Sequence, residues 1–425
     1  MKIHIRNARL VDPRQGIDAP MDLFIAAGKV VALGAAPSGF QPNRVIDAAR
    51  LIACPGLIDL SARLREPGYE YKATLESELD AAAAGGTTLV CPPDTDPPLD
   101  EPGLVEMLRH RARTLNRSHV WPLGALTVGL AGERLTEMAE LTEAGCVGFS
   151  QADTPVIDTQ VLFRAMQYAS TFGYCVWLQP QDAFLSREGV AHDGEVATRL
   201  GLAGIPVCAE TVALGTILEL AARTGVRLHL MRLSSAAGVE MVDRARMRGL
   251  DLTCDVGIHH LHLSDMDIGY FDAHARLDPP LRSLRDRDEL RRAVAEGRID
   301  AICSDHTPVD DDAKQLPFGE AEPGATGLEL LLPLTLKWGA ELGLSLSAAL
   351  ARVTAEPAHI LGLNAGHLAV GANADLCLFD PEARFRVTRE QLRSQGKNTP
   401  FLGAELKGAV RMTLVGGHTI FEARA

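Results

Sequence analysis

Cysteine and histidine are the side chains best able to hold a metal or carry redox chemistry, yet the eight cysteines of this sequence are not spaced for either. Cys54, Cys91, Cys146, Cys175, Cys208, Cys254, Cys303 and Cys377 are dispersed, no two form a Cys-x-x-Cys pair, and most sit inside apolar, strand-like runs. Buried free thiols are the expected state, which points to a reducing compartment and not to a chemistry. The polar residues of interest follow short apolar runs instead: Ser61, Arg63 and Arg65, then Asp94, Gln151, Gln179, Arg232, and Asp305 with His306. Guanidinium groups clamp anions with a planar fork. That chemistry requires the elements carrying these residues to bring them to one place.

Short β-branched or apolar runs alternate with amphipathic helical stretches through most of the chain, which predicts βα units and a parallel sheet with helices outside. The predicted strands are 56–60, 87–91, 120–125, 146–149, 175–178, 228–231, 252–256 and 301–303. Eight is the number of a (β/α)8 barrel, whose chemistry sits where the strands end. Helices are predicted over 74–84, closing at Gly85-Gly86, and over 286–296, closing at Gly297. Both chain ends have β texture, as in Leu23-Phe24-Ile25, Val30-Val31-Ala32-Leu33, 374–380 and 409–417. The expected fold is thus α/β, a (β/α)8 TIM barrel over 53–364 with a small β-sandwich domain built from 1–52 and 365–425.

The 425 residues carry 42 Lys+Arg against 55 Asp+Glu, a formal net charge of −13. Such a chain gains nothing from non-specific attraction to nucleic acid or an anionic membrane, so small molecules or proteins are the expected partners. The alternating start Met1-Lys2-Ile3-His4-Ile5-Arg6 reads as a strand and not a signal peptide, and no apolar run approaches the ~20 residues of a membrane helix. A cytoplasmic protein is expected.

Pro55-Gly56-Leu57-Ile58-Asp59 followed by Leu64-Arg65-Glu66-Pro67-Gly68 resembles the first barrel strand and loop of the cyclic amidohydrolases, specifically the dihydroorotases. The resemblance runs nearly end to end, through Ala82-Ala83-Ala84-Gly85-Gly86-Thr87-Thr88, 200–206, His259-His260-Leu261, Pro279-Pro280-Leu281-Arg282, Ser304-Asp305-His306-Thr307-Pro308, Gly327-Leu328-Glu329 and Asn398-Thr399-Pro400-Phe401. It implies a zinc site that activates water against a ring amide. Yet the implied His-x-His pair is Ser61 and Arg63, the fourth-strand carboxylate position holds Gln151-Ala152, the fifth-strand histidine is Gln179, and the sixth-strand ligand is Arg232. Only Asp305 is retained. A guanidinium has no lone pair to give, and one carboxylate does not hold zinc, so no metal or other cofactor is expected. Asp153 stands one residue out of place and is not counted as a replacement ligand. Arg63 and Arg232 are instead expected to form a salt bridge with Asp305 in the former metal pocket.

Around that pocket the resemblance implies substrate-contact remnants at Arg65, Asp94, Asp278 and His306. Asp94, within Pro93-Asp94-Thr95-Asp96, and Asp278, within Asp278-Pro279-Pro280, replace family asparagines and are expected to repel an anionic substrate. His259, His260, His262, His274 and His306 are expected to be hydrogen-bonded core or loop residues, not a relocated metal site. The resulting expectation is a non-catalytic dihydroorotase-like chain that assembles with and stabilises the catalytic chain of aspartate transcarbamoylase, in a hetero- or homo-oligomer. Two alternatives stand beside it: an active but divergent dihydroorotase or related cyclic amidohydrolase, and an anion-binding sensor.

Overall fold

Eight short parallel strands form the barrel in a computed structural model that describes residues 1–92 and 94–423, the side chains of 89–91 excepted. Pro93 and the Cys91 thiol, both singled out above, lie outside the described residues. The strands Leu57–Asp59, Thr87–Cys91 and Val120–Pro122 make one arc. After a break at Leu123, Gly124–Ala125 leads a second arc through Phe149–Ser150, Cys175–Leu178, Arg227–Leu230, Leu252–Gly257 and Ala301–Cys303. The barrel closes where the residues following its first and last strands meet: Arg63 N–H donates to His306 O (2.9 Å) and His306 N–H to Ser61 O (3.1 Å). Closure therefore places Arg63 and Asp305 at one rim.

Alternation along the strands sorts their side chains. Leu57 packs outward with the helices, while Ile58, Leu60, Leu123, Trp177, Met231 and Cys303 belong to a separate apolar cluster inside the strands. Helix Leu75–Gly85 starts at the Thr74 cap, whose side chain accepts from Ser77 N–H, and stops at Gly86 with φ 77°. A side chain at Gly86 would meet Cys377 Sγ at 2.6 Å, so only glycine suits both the turn and the packing. Helix Leu284–Glu296 is capped by Ser283 and closed by Gly297.

The chain ends share a sheet. Strand Ile52–Pro55, which straddles the expected border at 52, pairs antiparallel with Leu376–Phe379, placing Cys54 opposite Cys377, and parallel with Arg9–Leu10. A second sheet is built from Lys2–Arg6, Leu23–Ala26, Lys29–Leu33 and Arg44–Asp47. Ile3, Ile5, Leu10, Ile25, Leu376 and Leu414 fill the space between the two. Seven described cysteines are free and all but Cys208 are buried. Among the described residues, no helix is long and apolar enough to cross a membrane.

Candidate functional site

Several residues at the carboxyl rim of the barrel leave the strand direction abruptly. Arg65, Ala152, Arg232 and Asp305 adopt the left-handed conformation, with φ of 62°, 51°, 54° and 46°. Each non-glycine residue held there costs on the order of 1 kcal/mol, which the surrounding packing has to offset. The turns gather charged side chains over the barrel axis.

Arg63 is 4% exposed and uses its whole fork: Nε faces Asp94 Oδ2 at 2.6 Å, Nη1 meets Asp305 Oδ1 at 3.2 Å and donates to Thr307 Oγ1 at 2.6 Å, and Nη2 reaches Asp153 Oδ2 at 2.5 Å. Arg232, 2% exposed, places Nη1 3.0 Å from the same Asp305 oxygen and bonds Asp153 Oδ1 and Gln179 Oε1 through Nη2. Its Nε is buried with no partner among the described residues. Two guanidiniums and two carboxylates thus alternate in a closed ring. With Arg65 and Asp94 at its edge, three positive charges face three negative ones, which is what a low-dielectric site requires if its ions are to stay ionised.

The titration behaviour follows from these contacts. Burial acts to raise the Asp153 carboxyl, but the Arg232 and Arg63 guanidiniums hold it well below the usual carboxylate range. Burial likewise opposes the Arg63 charge, but Asp153, Asp94 and Asp305 together outweigh it, so Arg63 is raised above its ordinary value. Asp278 behaves differently. Burial and then the Asp153 charge push it up to about 6, and its Oδ1 has no hydrogen-bond partner among the described residues.

The expected salt bridge of Arg63 and Arg232 with Asp305 is therefore present, with two corrections. Asp153, set aside as one residue out of register, is a second carboxylate that joins both arginines. The left-handed turn at Ala152 redirects it, which no periodicity argument could show. Asp94, expected to repel an anion, spends its charge on Arg63 and lies 3.7 Å from Arg65 Nη1.

The remaining positions are structural in different degrees. Ser61 is buried, and its carbonyl accepts from His306 N–H and Ser304 Oγ. Gln151 accepts from Thr127 Oγ1 (2.9 Å) and donates to Leu130 O (2.8 Å), holding the loop after the third strand. Gln179 links Arg232 to Gln181. Arg65 Nε donates to Pro308 O at 2.9 Å and its guanidinium lies over the Tyr69 ring, while burial pulls its pKa down. Its Nη2 has no partner among the described residues, which leaves one edge of the fork for a ligand.

His306, expected among the substrate-pocket remnants, turns away from the mouth. Its Nδ1 accepts from Gly327 N–H, so Nε2 carries the hydrogen it gives to Glu78, and Glu78 also takes Ser394 Oγ (2.7 Å) and Gln395 N–H (3.1 Å). The imidazole ties a helix and the C-terminal segment to the rim. His260 bonds Pro279 O and His262 bonds Leu334 O, whereas His259 stacks on Phe401 with both ring nitrogens unpartnered among the described residues. Within the sixth strand, His229 packs tilted against Trp177 and bonds Asp255, whose second oxygen accepts Arg232 N–H at 2.7 Å. Sequence reasoning missed that anchor, which fixes Arg232 from behind.

This donor set does not suit a divalent cation. Two ligand positions carry permanent positive charge, the amides and Ser61 are weak donors, and Asp305 is engaged by both arginines. Among the described residues no group of three His, Cys, Asp or Glu is arranged to hold a metal. What the mouth does offer is guanidinium N–H donors, a carboxylate between them, and Asp278 poised near neutrality. A cavity of about 150 Å³ opens beside Asp153 and Gln179, backed by Leu162, Leu178 and Ile217.

Comparison with known proteins gives this arrangement its context. A family model described as Dihydro-orotase-like matches residues 49–237, and one described as Amidohydrolase family matches 192–421. The chain is 48% identical to a Dihydroorotase-like protein of Pseudomonas aeruginosa, over 99% of this chain and 100% of the other. It is 40% identical to a protein of Geobacter sp. (strain M21) named Dihydroorotase, over the full length of both. The solved L-hydantoinase (dihydropyrimidinase) from Arthrobacter aurescens superposes with a TM-score of 0.88 at 27% identity, covering 99% of this chain and 96% of that one.

The expectation of a non-enzyme is corrected by these findings, since full-length relatives carry an enzyme's name and the fold matches a hydantoinase. The physical reason is that loss of imidazole ligands removes one route to an activated water and not amide hydrolysis itself. Hydrolysis needs preorganised donors for the developing oxyanion and a base for the water, and guanidinium and carboxylate groups supply both.

Proposed function

This chain belongs to the amidohydrolase family, among its dihydroorotase-like members, and from that premise we propose that it is a divergent cyclic amidohydrolase acting on a small anionic cyclic amide of the dihydroorotate class. The observation that carries the proposal is the convergence of Arg63 and Arg232 on Asp305 at the rim where this fold does its chemistry. As water adds to the ring amide, the C–O bond forms and charge develops on the carbonyl oxygen, where two guanidinium N–H donors stabilise it. Asp305 takes the proton from the attacking water and returns it to the ring nitrogen as the C–N bond breaks, so the cycle closes without a metal. Arg65 holds the substrate carboxylate with the free edge of its fork. Asp153, the most exposed acid of the ring, occupies the arginines in the free protein and yields to substrate.

The test is turnover of dihydroorotate and carbamoyl-aspartate by chelator-treated protein. Activity that survives chelation and falls at least about 100-fold in Asp305→Asn, a loss of the size expected for removing a proton-transfer group, supports the mechanism. No turnover in either direction, or turnover only after zinc is added, refutes it. Saturable binding of dihydroorotate without turnover would favour the sensor reading.

Association with the catalytic chain of aspartate transcarbamoylase is a second proposal, compatible with the first. It is supported by an apolar projection beyond the seventh strand, where Met266, Tyr270 and Phe271 are exposed and the two rings pack edge to face. Co-expression should yield a stable complex, and Tyr270→Asp should abolish it. An unchanged complex would place the contact elsewhere, and absence of any complex would end the proposal.

A further inference from the structure

We infer that the opposite end of the barrel carries a binding site for a phosphate-bearing small molecule, independent of the chemistry at the mouth. Helix Pro102–Leu115 runs down to that end, and Arg109, Arg113 and Arg117 follow one another at four-residue spacing along it and into its exit. Side chains four apart on a helix share a face. All three line a cavity of about 320 Å³ between the helix, the start of the third barrel strand and the C-terminal β-hairpin. Ser118, His119 and Trp121 line it from the strand side, and His418 from the hairpin.

Accounting for each polar group leaves the cavity cationic. Arg109 Nη1 donates to Ala144 O at 2.6 Å, Arg117 pairs with Asp80, and His119 lies 3.4 Å from Asp375. Arg113 makes no ion pair or side-chain hydrogen bond among the described residues, and neither does the His418 ring. Ser118 is 3% exposed, and its hydroxyl is buried without a partner among the described residues, a state that is costly if nothing fills it. Three guanidiniums thus face two carboxylates, with two imidazoles to add, in a chain whose net charge is −13.

Local stability does not explain this grouping. A cation near a helix C-terminus is favoured by the helix dipole, which accounts for Arg113 in the last turn. Like charges at i and i+4 of a helix repel, however, and Arg109 and Arg113 are such a pair, with Arg117 brought beside them by the turn at Asn116. The dipole also says nothing of Ser118, Trp121 and His418, which reach the same cavity from other segments. One carboxylate ligand would need one guanidinium fork, whereas this set matches a multiply charged anion with tetrahedral oxygens. The cavity is of a size that small-molecule sites use, and Trp121, near-parallel to His119 at 6.2 Å, offers a flat apolar wall to the rest of the ligand.

Trp121 also supplies the readout, because Trp177 and Trp338 are fully buried elsewhere. The full chain is titrated with ATP, inorganic triphosphate, adenosine and tetraglutamate, following tryptophan fluorescence and, in parallel, equilibrium dialysis. The expected result is saturable binding of ATP and triphosphate, silence with adenosine, and weakening of at least about tenfold in Arg113→Glu. Trp121→Phe should remove the fluorescence change while dialysis still shows binding. Arg113 has no folded-state partner, so its variant should remain folded; His418→Asp gives an independent second variant with the same expected direction. Absence of binding by both phosphate probes, binding unchanged in both variants, or tighter binding of tetraglutamate than of either probe would overturn the site.

Discussion

The two ends of the barrel use arginine in opposite ways. At the mouth, Arg63 and Arg232 are almost wholly buried and each is bound by carboxylates on several sides. At the far end, Arg113 lines an open cavity with no acid in contact. A buried guanidinium is tolerable only when its charge is matched nearby, while an exposed one can wait for a ligand. The mouth is therefore a self-neutralised site whose ligand has to displace Asp153, and the far end is a site whose counter-ion must come from outside.

The sharpest way to break that contrast is Arg232→Met. It strands Asp305 and Asp153 beside Arg63, and removal of one partner from a buried ion network costs about 3–5 kcal/mol, read as a lower urea midpoint. A loss below about 1 kcal/mol would mean the ring is not the matched unit described.

Asp278 tests the same electrostatics through pH. Its folded pKa of about 6 lies above the ordinary 3.8, so its contribution to stability is fully present below pH 4 and is lost as pH rises through 6. Asp278→Asn should therefore be close to the parent at pH 4 and more stable at pH 8, by on the order of 3 kcal/mol. A gain that is equal at both pH values would show that the effect is not ionisation.

Smaller still is the effect expected of opening the mouth. Asp153→Ala frees the Nη2 edge of both guanidiniums from their shared acid and should tighten dihydroorotate binding about tenfold, or about 1.4 kcal/mol. Weaker binding would show that Asp153 organises the arginines and does not compete for them. At the bottom of the scale, Arg113→Gln should leave the unfolding midpoint within about 0.5 kcal/mol of the parent, since no ion pair is lost.

The barrel was largely legible because each βα unit announces itself locally. Strands 87–91, 175–178 and 301–303 fall where apolar runs bounded by turn residues place them. The fourth strand starts at Phe149 and not at 146 because Cys146 N–H is taken by Leu141 O in closing the preceding helix. Arg63, Arg232 and Asp305 were found through the family resemblance, whose ligand positions follow barrel strands, a placement that survives translation into three dimensions. Asp153 was lost because a single positive φ at Ala152 overrides register. The His306–Glu78 bond joins residues more than 200 positions apart, and the cavity around Arg113 draws on a helix, a strand and a hairpin. No local pattern encodes such meetings. The non-enzyme expectation failed for a different reason, in treating one metal-dependent route as the whole chemistry.

The pairing of Ile52–Pro55 with Leu376–Phe379 has a consequence in time as well as space. At ribosomal speeds of about 5–20 residues per second, the early strand emerges tens of seconds before its partner, roughly 320 residues downstream. Through that interval the first sheet has an open edge and an uncovered apolar face, and the entire barrel is synthesised meanwhile. The sandwich is thus completed only after the barrel has been made, and a chain truncated before residue 376 leaves Ile52–Pro55 paired with Arg9–Leu10 alone.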